Sequence, residues 1–430
     1  MIYIAYIVLA LNAVNLVRMF FFMLGSELYD IFRIFQKKYG ENQGKEFFSQ
    51  NYRPLVTVIV PAHNEEKVLL RNLESIKHNH YKNVQLIIVN DSSTDKTKAI
   101  ALKFQRQNKN LFTEIRVINV SVRGKAKALN NGMKYSKGSL IMCLDADSAL
   151  TPTALENAVK QFRKKNLVSL SANVKIFPSK GILNHLQRIE YLICYQMKKA
   201  ETFSNIQYIV GGIGSMYRKR AIKTLGNYDT DTITEDIDLS MKLIEHYGKD
   251  KKIGYDPSVV VYTESVYNIS GLHRQRFRWK YGRYQVFLKR KSLFLSTNTK
   301  NNKLLSWIYL PYALYAEIAY ALEPLIFILL IALIINYGDA SMLISSFIVF
   351  IFYTVMHITG ATEGYSNREK LLLTISSPFA FFGMYIISYV EYIATLKGIF
   401  YSKRLIHEHK FGGSGCDWKP VERKGTAIIS

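Results

Sequence analysis

The distribution of apolar residues constrains this chain more than any other feature. Four segments are almost wholly apolar: residues 2–24, 321–337, 342–360 and 375–396. A run of about 20 apolar residues is long enough for a helix to cross the hydrocarbon core of a bilayer. A mostly polar block from about residue 30 to 302 separates the first run from the others. We therefore expect a membrane protein with one large soluble domain inserted after its first span.

The first apolar run is interpreted as a retained anchor, not as a cleaved signal peptide. Its beginning, 1-MIYIAYIV-8, carries no basic residue, and no small-x-small cleavage site precedes a secreted-looking domain. The cysteines Cys143, Cys194 and Cys416 lie far apart without paired spacing. This pattern fits a reducing, cytoplasmic compartment and contains no metal-binding signature.

The chain is strongly basic, with 57 Lys and Arg against 33 Asp and Glu and a formal charge of +24. Basic residues flank the apolar runs, which favours a cytoplasmic soluble domain that contacts anionic membrane lipids. No nucleic-acid-binding motif accompanies the charge, so no nucleic-acid partner is expected. If three spans follow a cytoplasmic domain, the basic tail 397–430 lies outside the cell. The preference of Lys and Arg for the cytoplasmic side predicts the opposite. Segment 304–324, rich in Tyr, suits an interfacial helix or part of an extra span, and the number of spans stays open.

Strands alternate with helices in the first half of the polar block. Short apolar runs that begin at residues 55, 84, 114 and 139 are typical of buried strands, and helical periodicity follows at 65–78, 96–107 and 124–138. Asp95 is in position to cap the second of these helices, and Thr151 and Pro152 are expected to open a further one. This alternation predicts an α/β, Rossmann-like domain with a mostly parallel, doubly wound sheet.

Polar clusters follow three of the predicted strands: 61-PAHNEE-66, 90-NDSSTD-95 and 145-DAD-147. Ligands of such sheets bind at the carboxyl ends of the strands, so the clusters are expected to line one cleft. No GxGxxG or GxxxxGK[ST] sequence follows a strand. The absence of both motifs argues against a dinucleotide-dependent oxidoreductase and against a P-loop enzyme.

Each cluster has both a chemical and a purely structural interpretation. The two carboxylates of 145-DAD-147 suit a hard divalent cation, although a lone DxD is more often a solvated turn. Asp91 suits a ribose or base edge, and an Asx turn is an equally good account of it. Lys125 suits a diphosphate, although a lysine in the first turn of a helix is more often solvated. At an edge with two other acidic strand ends, the metal interpretation of the DAD sequence is favoured.

Two further segments are notable. The first, 275-QRFRW-279, lies in a stretch dense in Arg, Lys and aromatic residues, which is typical of a basic helix at a membrane surface. The second, 228-YDTDTITEDIDLS-240, gathers five carboxylates. Acidic residues in the first turn complement the helix dipole, which accounts for Glu235 and Asp238. That account does not explain Asp236.

Taken in order, these motifs resemble those of membrane-embedded, processive glycosyltransferases of family 2 with a GT-A catalytic domain. The matching stretches are 61-PAHNE-65, Asp91, 125-KAKALN-130, 145-DAD-147, 234-TED-236 and 275-QRFRW-279. The stretches 210–222 and 233–243 are most similar to bacterial poly-β-1,6-N-acetylglucosamine synthases, within a group that includes hyaluronan and chitin synthases. The FxVTxK segment of cellulose synthases does not follow the QxxRW motif, so cellulose is the less expected product.

The resemblance implies a role for each matched residue. Nucleotide-binding positions would be Ala62, Glu65, Asp91, Lys125, Asp145, Gln275 and Arg278. Asp147 would hold a divalent cation, Mg²⁺ or Mn²⁺, and Asp236 would be the catalytic general base. Glu235 and Trp279 would border the acceptor sugar.

The expected organisation has six parts. They are an N-terminal transmembrane helix at 1–24, a linker at 25–53, the GT-A domain at 54–265, interface helices bearing QxxRW at 266–320, transmembrane helices at 321–396 and the basic tail at 397–430.

The expected activity is inverting, metal-dependent transfer of a sugar from a UDP-sugar, with UDP-N-acetylglucosamine favoured, to a growing β-linked polysaccharide at the cytoplasmic membrane. The alternative enzyme is a single-transfer glycosyltransferase with a lipid acceptor. A non-catalytic membrane scaffold is the alternative from another class, although it would not need the complete motif set. The sequence leaves open the sugar, the linkage, the oligomeric state and the need for a small membrane subunit.

Overall fold

A computed structural model of the chain describes residues 2–43, 52–121, 124–338, 340–410 and 425. The basic tail beyond residue 410 therefore lies outside the described residues, except for Gly425. The first helix, α1, spans Ile2–Gln43 without a break, whereas the sequence divides this region into a span and a linker at residue 24. That division, like the other predicted domain boundaries, stays a prediction.

An eight-stranded sheet forms the centre of the polar block. Its strands are β1 (Val56–Ala62), β2 (Val84–Asp91), β3 (Glu114–Val120), β4 (Leu140–Cys143), β5 (Ala149–Leu150), β6 (Leu167–Ile176), β7 (Ser215–Arg218) and β8 (Lys252–Thr263). They are ordered β3-β2-β1-β4-β7-β6-β8-β5. The first four positions are parallel, β7 runs antiparallel to both of its neighbours, and β8 is parallel to β6. The predicted mostly parallel α/β sheet is confirmed.

Helices cover the sheet, and the first three follow strands as the periodicity predicts. They are α2 (Leu69–Lys77), α3 (Thr97–Asn108), α4 (Lys125–Tyr135), α5 (Ala154–Gln161), α6 (Ile182–Phe203), α7 (Lys219–Thr224), α8 (Glu235–Tyr247) and α9 (Ile269–Lys289). The N-cap position of α3 is Lys96, one residue after the predicted Asp95, although Asp95 Oδ1 accepts the N–H of Thr97, the first residue of α3, at 2.9 Å. Helix α5 begins later than predicted, since the Thr151 N–H donates to the Val260 carbonyl, 3.2 Å away, beside β8.

Both faces of the sheet are buried by helices. Alternate residues of β1 point to opposite faces. Val58 and Val60 pack with Leu69 and the rest of α2 on one side. On the other side, Ile59 packs in the layer that includes α4 and α8. A sheet covered on both faces exposes only its edges and strand ends, so a ligand site is expected there.

The C-terminal part is helical: α10 (Leu310–Tyr337), α11 (Ser341–Gly360) and α12 (Asn367–Lys410). Within the described residues, Ser341–Gly360 and Asn367–Gly398 are long and apolar enough to cross a membrane. A third candidate joins Leu304–Glu317 to Leu322–Tyr337 through a bend of 63°. The side chains of residues 2–12 lie outside the described part, so the N-terminal span stays a prediction.

Candidate active site

The carboxyl ends of β1 and β2 meet at one edge of the sheet and are joined by hydrogen bonds. Ala62 is the register partner of Asn90. In the loops beyond, the Thr94 N–H donates to Asn64 Oδ1 at 2.8 Å, and the Glu65 N–H donates to Thr97 Oγ1 at 2.8 Å. The structure therefore brings the predicted residues Ala62 and Glu65 next to the loop that follows Asp91.

Asp91 joins this edge to the start of α4. Its Oδ2 accepts the Gly124 N–H at 3.0 Å. Gly124 has φ +133°, a backbone conformation that favours glycine. The other oxygen, Oδ1, is buried without a hydrogen-bond partner among the described residues. A buried carboxylate oxygen of this kind is suited to accept an N–H or O–H group from a ligand.

Lys125, in the first turn of α4, lies between acidic residues from two motifs. Its Nζ is 2.7 Å from Asp145 Oδ1 and 3.2 Å from Glu235 Oε1. Burial disfavours the charged ammonium, but Asp145, Glu235 and Asp236 outweigh it and raise the pKa of Lys125 above its ordinary value. Burial raises the pKa of Glu235, and the Asp236 charge adds to this while Lys125 opposes it. The site thus combines one fixed cation with three carboxylates.

Asp236 is oriented by backbone groups on both of its oxygens. The Gly212 N–H donates to Oδ2 at 2.7 Å, and the Ile237 N–H donates to Oδ1 at 2.9 Å. An ideal Cβ at Gly212 would lie 2.9 Å from the Lys125 ammonium. A side chain at this position would therefore displace the Lys125 ammonium. Gly212 is not among the site residues predicted from the sequence, although it lies in the stretch 210–222 that carried the resemblance.

The turn that contains Asp145 and Asp147 is held from α2. Asn72 Nδ2 donates to the Asp145 carbonyl at 2.9 Å, and Arg71 Nη2 donates to the Asp147 carbonyl at 2.9 Å. Asp147 Oδ1 accepts the Ser148 hydroxyl at 3.0 Å. Arg71 and Asn72 are not among the site residues predicted from the sequence. The sequence feature that could have identified them is that both are polar, although they lie in a helix whose apolar pattern predicts packing on the sheet.

The donor set of this turn fits a divalent metal ion, because two carboxylates after a strand supply the hard oxygen ligands that Mg²⁺ and Mn²⁺ prefer. A second acidic group, Asp229, Asp231 and Asp238, brings three carboxylates within 4.8 Å of one another. There the Lys289 ammonium lies 2.5–2.8 Å from all three. A protein cation therefore contacts both acidic groups, Lys289 here and Lys125 at Asp145 of the DAD turn, and the assignment of the metal to the DAD turn stays a prediction.

Helix α9 crosses directly over the TED motif. An ideal Cβ at Gly282 would lie 2.4 Å from Thr234 Cγ2, so α9 and the loop before α8 touch here. Gln275, Arg278 and Trp279 precede Gly282 by about one to two turns and share its face of the helix. The Oε1 atom of Gln275 is buried without a hydrogen-bond partner among the described residues. The last motif is therefore carried by the helix that covers the TED segment.

Comparison with protein families identifies the chain. The family described as glycosyl transferase family 2 matches residues 57–226, which include the strand-end motifs and Gly212. The chain belongs to glycosyltransferase family 2, and it is a glycosyltransferase.

Two curated relatives are poly-β-1,6-N-acetyl-D-glucosamine synthases. The one from Staphylococcus epidermidis is 31% identical over 299 residues, which are 69% of this chain and 70% of that protein. The one from Staphylococcus aureus (strain COL) is 30% identical over 247 residues, or 57% of this chain and 58% of that protein. The homologues of this chain thus include family 2 polysaccharide synthases.

Among solved structures, the mannosyltransferase PcManGT from Pyrobaculum calidifontis, in complex with GDP-Man and Mn²⁺, has a similar fold. It matches with a TM-score of 0.55 and 18% identity, covering 89% of this chain and 99% of that chain. At this identity the likeness concerns the fold alone. The predicted GT-A architecture is confirmed.

Proposed function

We propose that this protein transfers N-acetylglucosamine from UDP-N-acetylglucosamine to the end of a growing β-linked polysaccharide at the cytoplasmic face of a membrane. The observation that carries the proposal is the Asp236 carboxylate, oriented by the Gly212 N–H at 2.7 Å beside a lysine and two further carboxylates. Similarity to poly-β-1,6-N-acetyl-D-glucosamine synthases over 69% of the chain supports the choice of sugar and polymer.

In this proposal Asp236 is the general base. Both of its oxygens accept a backbone N–H, so the carboxylate is held in one orientation, and its remaining lone pairs can accept the proton of the acceptor hydroxyl. The hydroxyl oxygen attacks the anomeric carbon as the bond to UDP breaks. Because no enzyme nucleophile takes part, one displacement inverts the anomeric centre and produces a β-linkage.

The leaving diphosphate needs positive charge around it. Lys125 supplies an ammonium beside Asp145 and Glu235, and Arg278 supplies a guanidinium from α9. Asp145 would contact the nucleotide, and Asp147 would hold the Mg²⁺ or Mn²⁺ ion, which neutralises phosphate oxygens when bound. Ala62, Glu65 and Asp91 would form the uridine pocket, where the unpartnered Asp91 Oδ1 accepts a base or ribose group.

On the acceptor side, Trp279 presents an aromatic surface of the kind on which sugar rings stack, and Glu235 stands next to the base. Gln275 would face the diphosphate, to which the NH₂ group of its amide can donate. Membrane lipids would surround α11 and α12. A single transfer to a lipid remains the competing activity, because the same residues would serve a lipid-borne hydroxyl.

The deciding experiment is a screen of labelled UDP-sugars with the purified protein in detergent, with product length read on a gel. We expect labelled polymer from UDP-N-acetylglucosamine. A product consisting only of mono-glycosylated lipid would contradict the polymer proposal.

The general base is tested by Asp236→Asn, which removes the proton acceptor and preserves side-chain size. Turnover is expected to fall by about 10²-fold or more, with UDP binding retained. The matched control is Asp250→Asn, at an exposed aspartate after α8, which should retain turnover. Full activity in Asp236→Asn would remove this residue as the base.

Metal dependence is tested separately. Excess chelator is expected to abolish transfer, and Mg²⁺ or Mn²⁺ should restore it, because the diphosphate would otherwise leave with its charge poorly neutralised. Initial rates with and without chelator measure the effect. Undiminished transfer in excess chelator would contradict the assignment of Asp147.

A further inference from the structure

A carboxylate lies inside one of the helices that are apolar enough to cross a membrane. Glu391 belongs to α12, and its side chain is only 7% exposed. An ionisable group in such a helix needs a partner of opposite charge. Two cations of α9 supply it: Lys280 Nζ lies 2.9 Å from Glu391 Oε2, and Arg276 Nη1 lies 3.4 Å from Oε1. The QxxRW helix is thus bound electrostatically to α12.

Arg276 has two further contacts. Its Nη2 lies 2.6 Å from Glu190 Oε2 of α6, and its side chain is 4% exposed. Its guanidinium carbon lies 4.6 Å from the centre of the Trp279 ring. A guanidinium can donate hydrogen bonds from its edge while its face covers an aromatic ring. One buried side chain therefore joins α6, α12 and the indole of Trp279.

We propose that Arg276 is a positioning residue for the acceptor, through which α6 and α12 fix the plane of the Trp279 ring. The fixed positions of the QxxRW motif are Gln275, Arg278 and Trp279, so Arg276 is not one of them. The inference rests on the proposed function, in which Trp279 borders the acceptor sugar. An enzyme that forms a polymer must bind the end of its product again after every transfer. An aromatic ring can position that end only if the orientation of the ring is fixed before the sugar binds.

The orientation of Trp279 can be measured without substrate. The chain contains three tryptophans, so Trp307→Phe with Trp418→Phe leaves Trp279 as the single fluorophore. In this background Glu391→Gln and Arg276→Lys are expected to shift Trp279 emission and increase its quenching by iodide. Lysine keeps the charge of Arg276 but not its planar face. The matched control is Glu317→Gln, which removes one carboxylate partner of Lys280 and a partner of Arg283 and should leave the emission unchanged.

The effect on the reaction is measured separately, by the length of the polymer and the KM for the UDP-sugar. Glu391→Gln in the otherwise native chain should shorten the polymer on the order of tenfold, with the KM for the UDP-sugar unchanged, because acceptor placement alone is loosened. Should Glu391→Gln fail to accumulate, Glu190→Gln removes the other carboxylate from Arg276 and carries the same expectation.

Two results would overturn the inference. One is Trp279 fluorescence that is identical in Glu391→Gln, Arg276→Lys and the parent protein. The other is product of unchanged length from a variant whose fluorescence has shifted. A wild-type protein that makes no polymer would contradict the proposed function instead, and the fluorescence comparison would still decide whether Arg276 fixes the ring.

Discussion

At the scale of single residues, the site depends on a backbone amide. Asp236 is placed by the N–H of Gly212, and the absence of a side chain at Gly212 leaves room for the Lys125 ammonium. The neighbouring Gly211 is different, because an ideal Cβ there would have the Tyr195 hydroxyl as its nearest contact, at 3.9 Å. A methyl group at Gly212 would therefore clash with the Lys125 ammonium, whereas one at Gly211 would make only an ordinary contact with Tyr195.

We predict that Gly212→Ala lowers turnover by about tenfold or more, since the new methyl group displaces Lys125 from Asp145 and Glu235. Gly211→Ala should stay near wild-type turnover. Initial rates at saturating UDP-sugar measure the difference, and thermal denaturation in detergent shows whether both variants fold. Equal turnover in the two variants would mean that the placement of Lys125 does not limit the reaction.

At the scale of elements, the acidic segment before and within α8 binds the C-terminal end of α9. Lys289 and Arg290 both contact Asp229 and Asp238. Burial opposes the charged form of Asp229, but hydrogen bonds and charge from Lys242 and Lys289 lower its pKa to about 2. The sequence interpretation of Asp238 as a helix-dipole residue therefore described only part of its role. Together with Asp229, it attaches α9 beside the TED motif.

We predict that Asp238→Asn destabilises this junction by about 2–3 kcal/mol, because Asp238 is fully buried and its removal leaves two cations short of a partner. Asp231→Asn is the matched control. It removes a contact to the same lysine, but its side chain is 63% exposed, so a change below about 1 kcal/mol is expected. Thermal denaturation in detergent compares them. Equal losses would show that burial does not determine the strength of these pairs.

At the scale of the whole molecule, the connection between α11 and α12 packs on the catalytic domain. The Tyr262 hydroxyl of β8 donates to the Gly364 carbonyl at 3.0 Å, and the Lys175 ammonium of β6 lies 3.4 Å from the centre of the Tyr365 ring. Helix α11 has 20 residues, about 30 Å of length. The N-terminal end of α11 is therefore about one membrane thickness away from the connection between α11 and α12.

We predict that the turn before α11 and the catalytic domain lie on opposite sides of the membrane. In a Cys194→Ser, Cys416→Ser background, Tyr337→Cys should react with an impermeant maleimide in intact cells. Lys249→Cys, on the exposed turn after α8, should react only after permeabilisation. Labelling of both positions in intact cells, or of neither, would contradict this arrangement.

The sequence by itself determined the sheet-and-helix alternation, the apolar helices and the order of the strand-end motifs. These features are encoded in local periodicity and in residues adjacent along the chain, such as Asp145 and Asp147. Only the tertiary structure decided that Gly212 orients Asp236, that α2 holds the DAD turn and that Arg276 joins Glu391 to Trp279. Such contacts join segments distant in sequence, and their geometry depends on how sheet and helices pack, which no local pattern specifies.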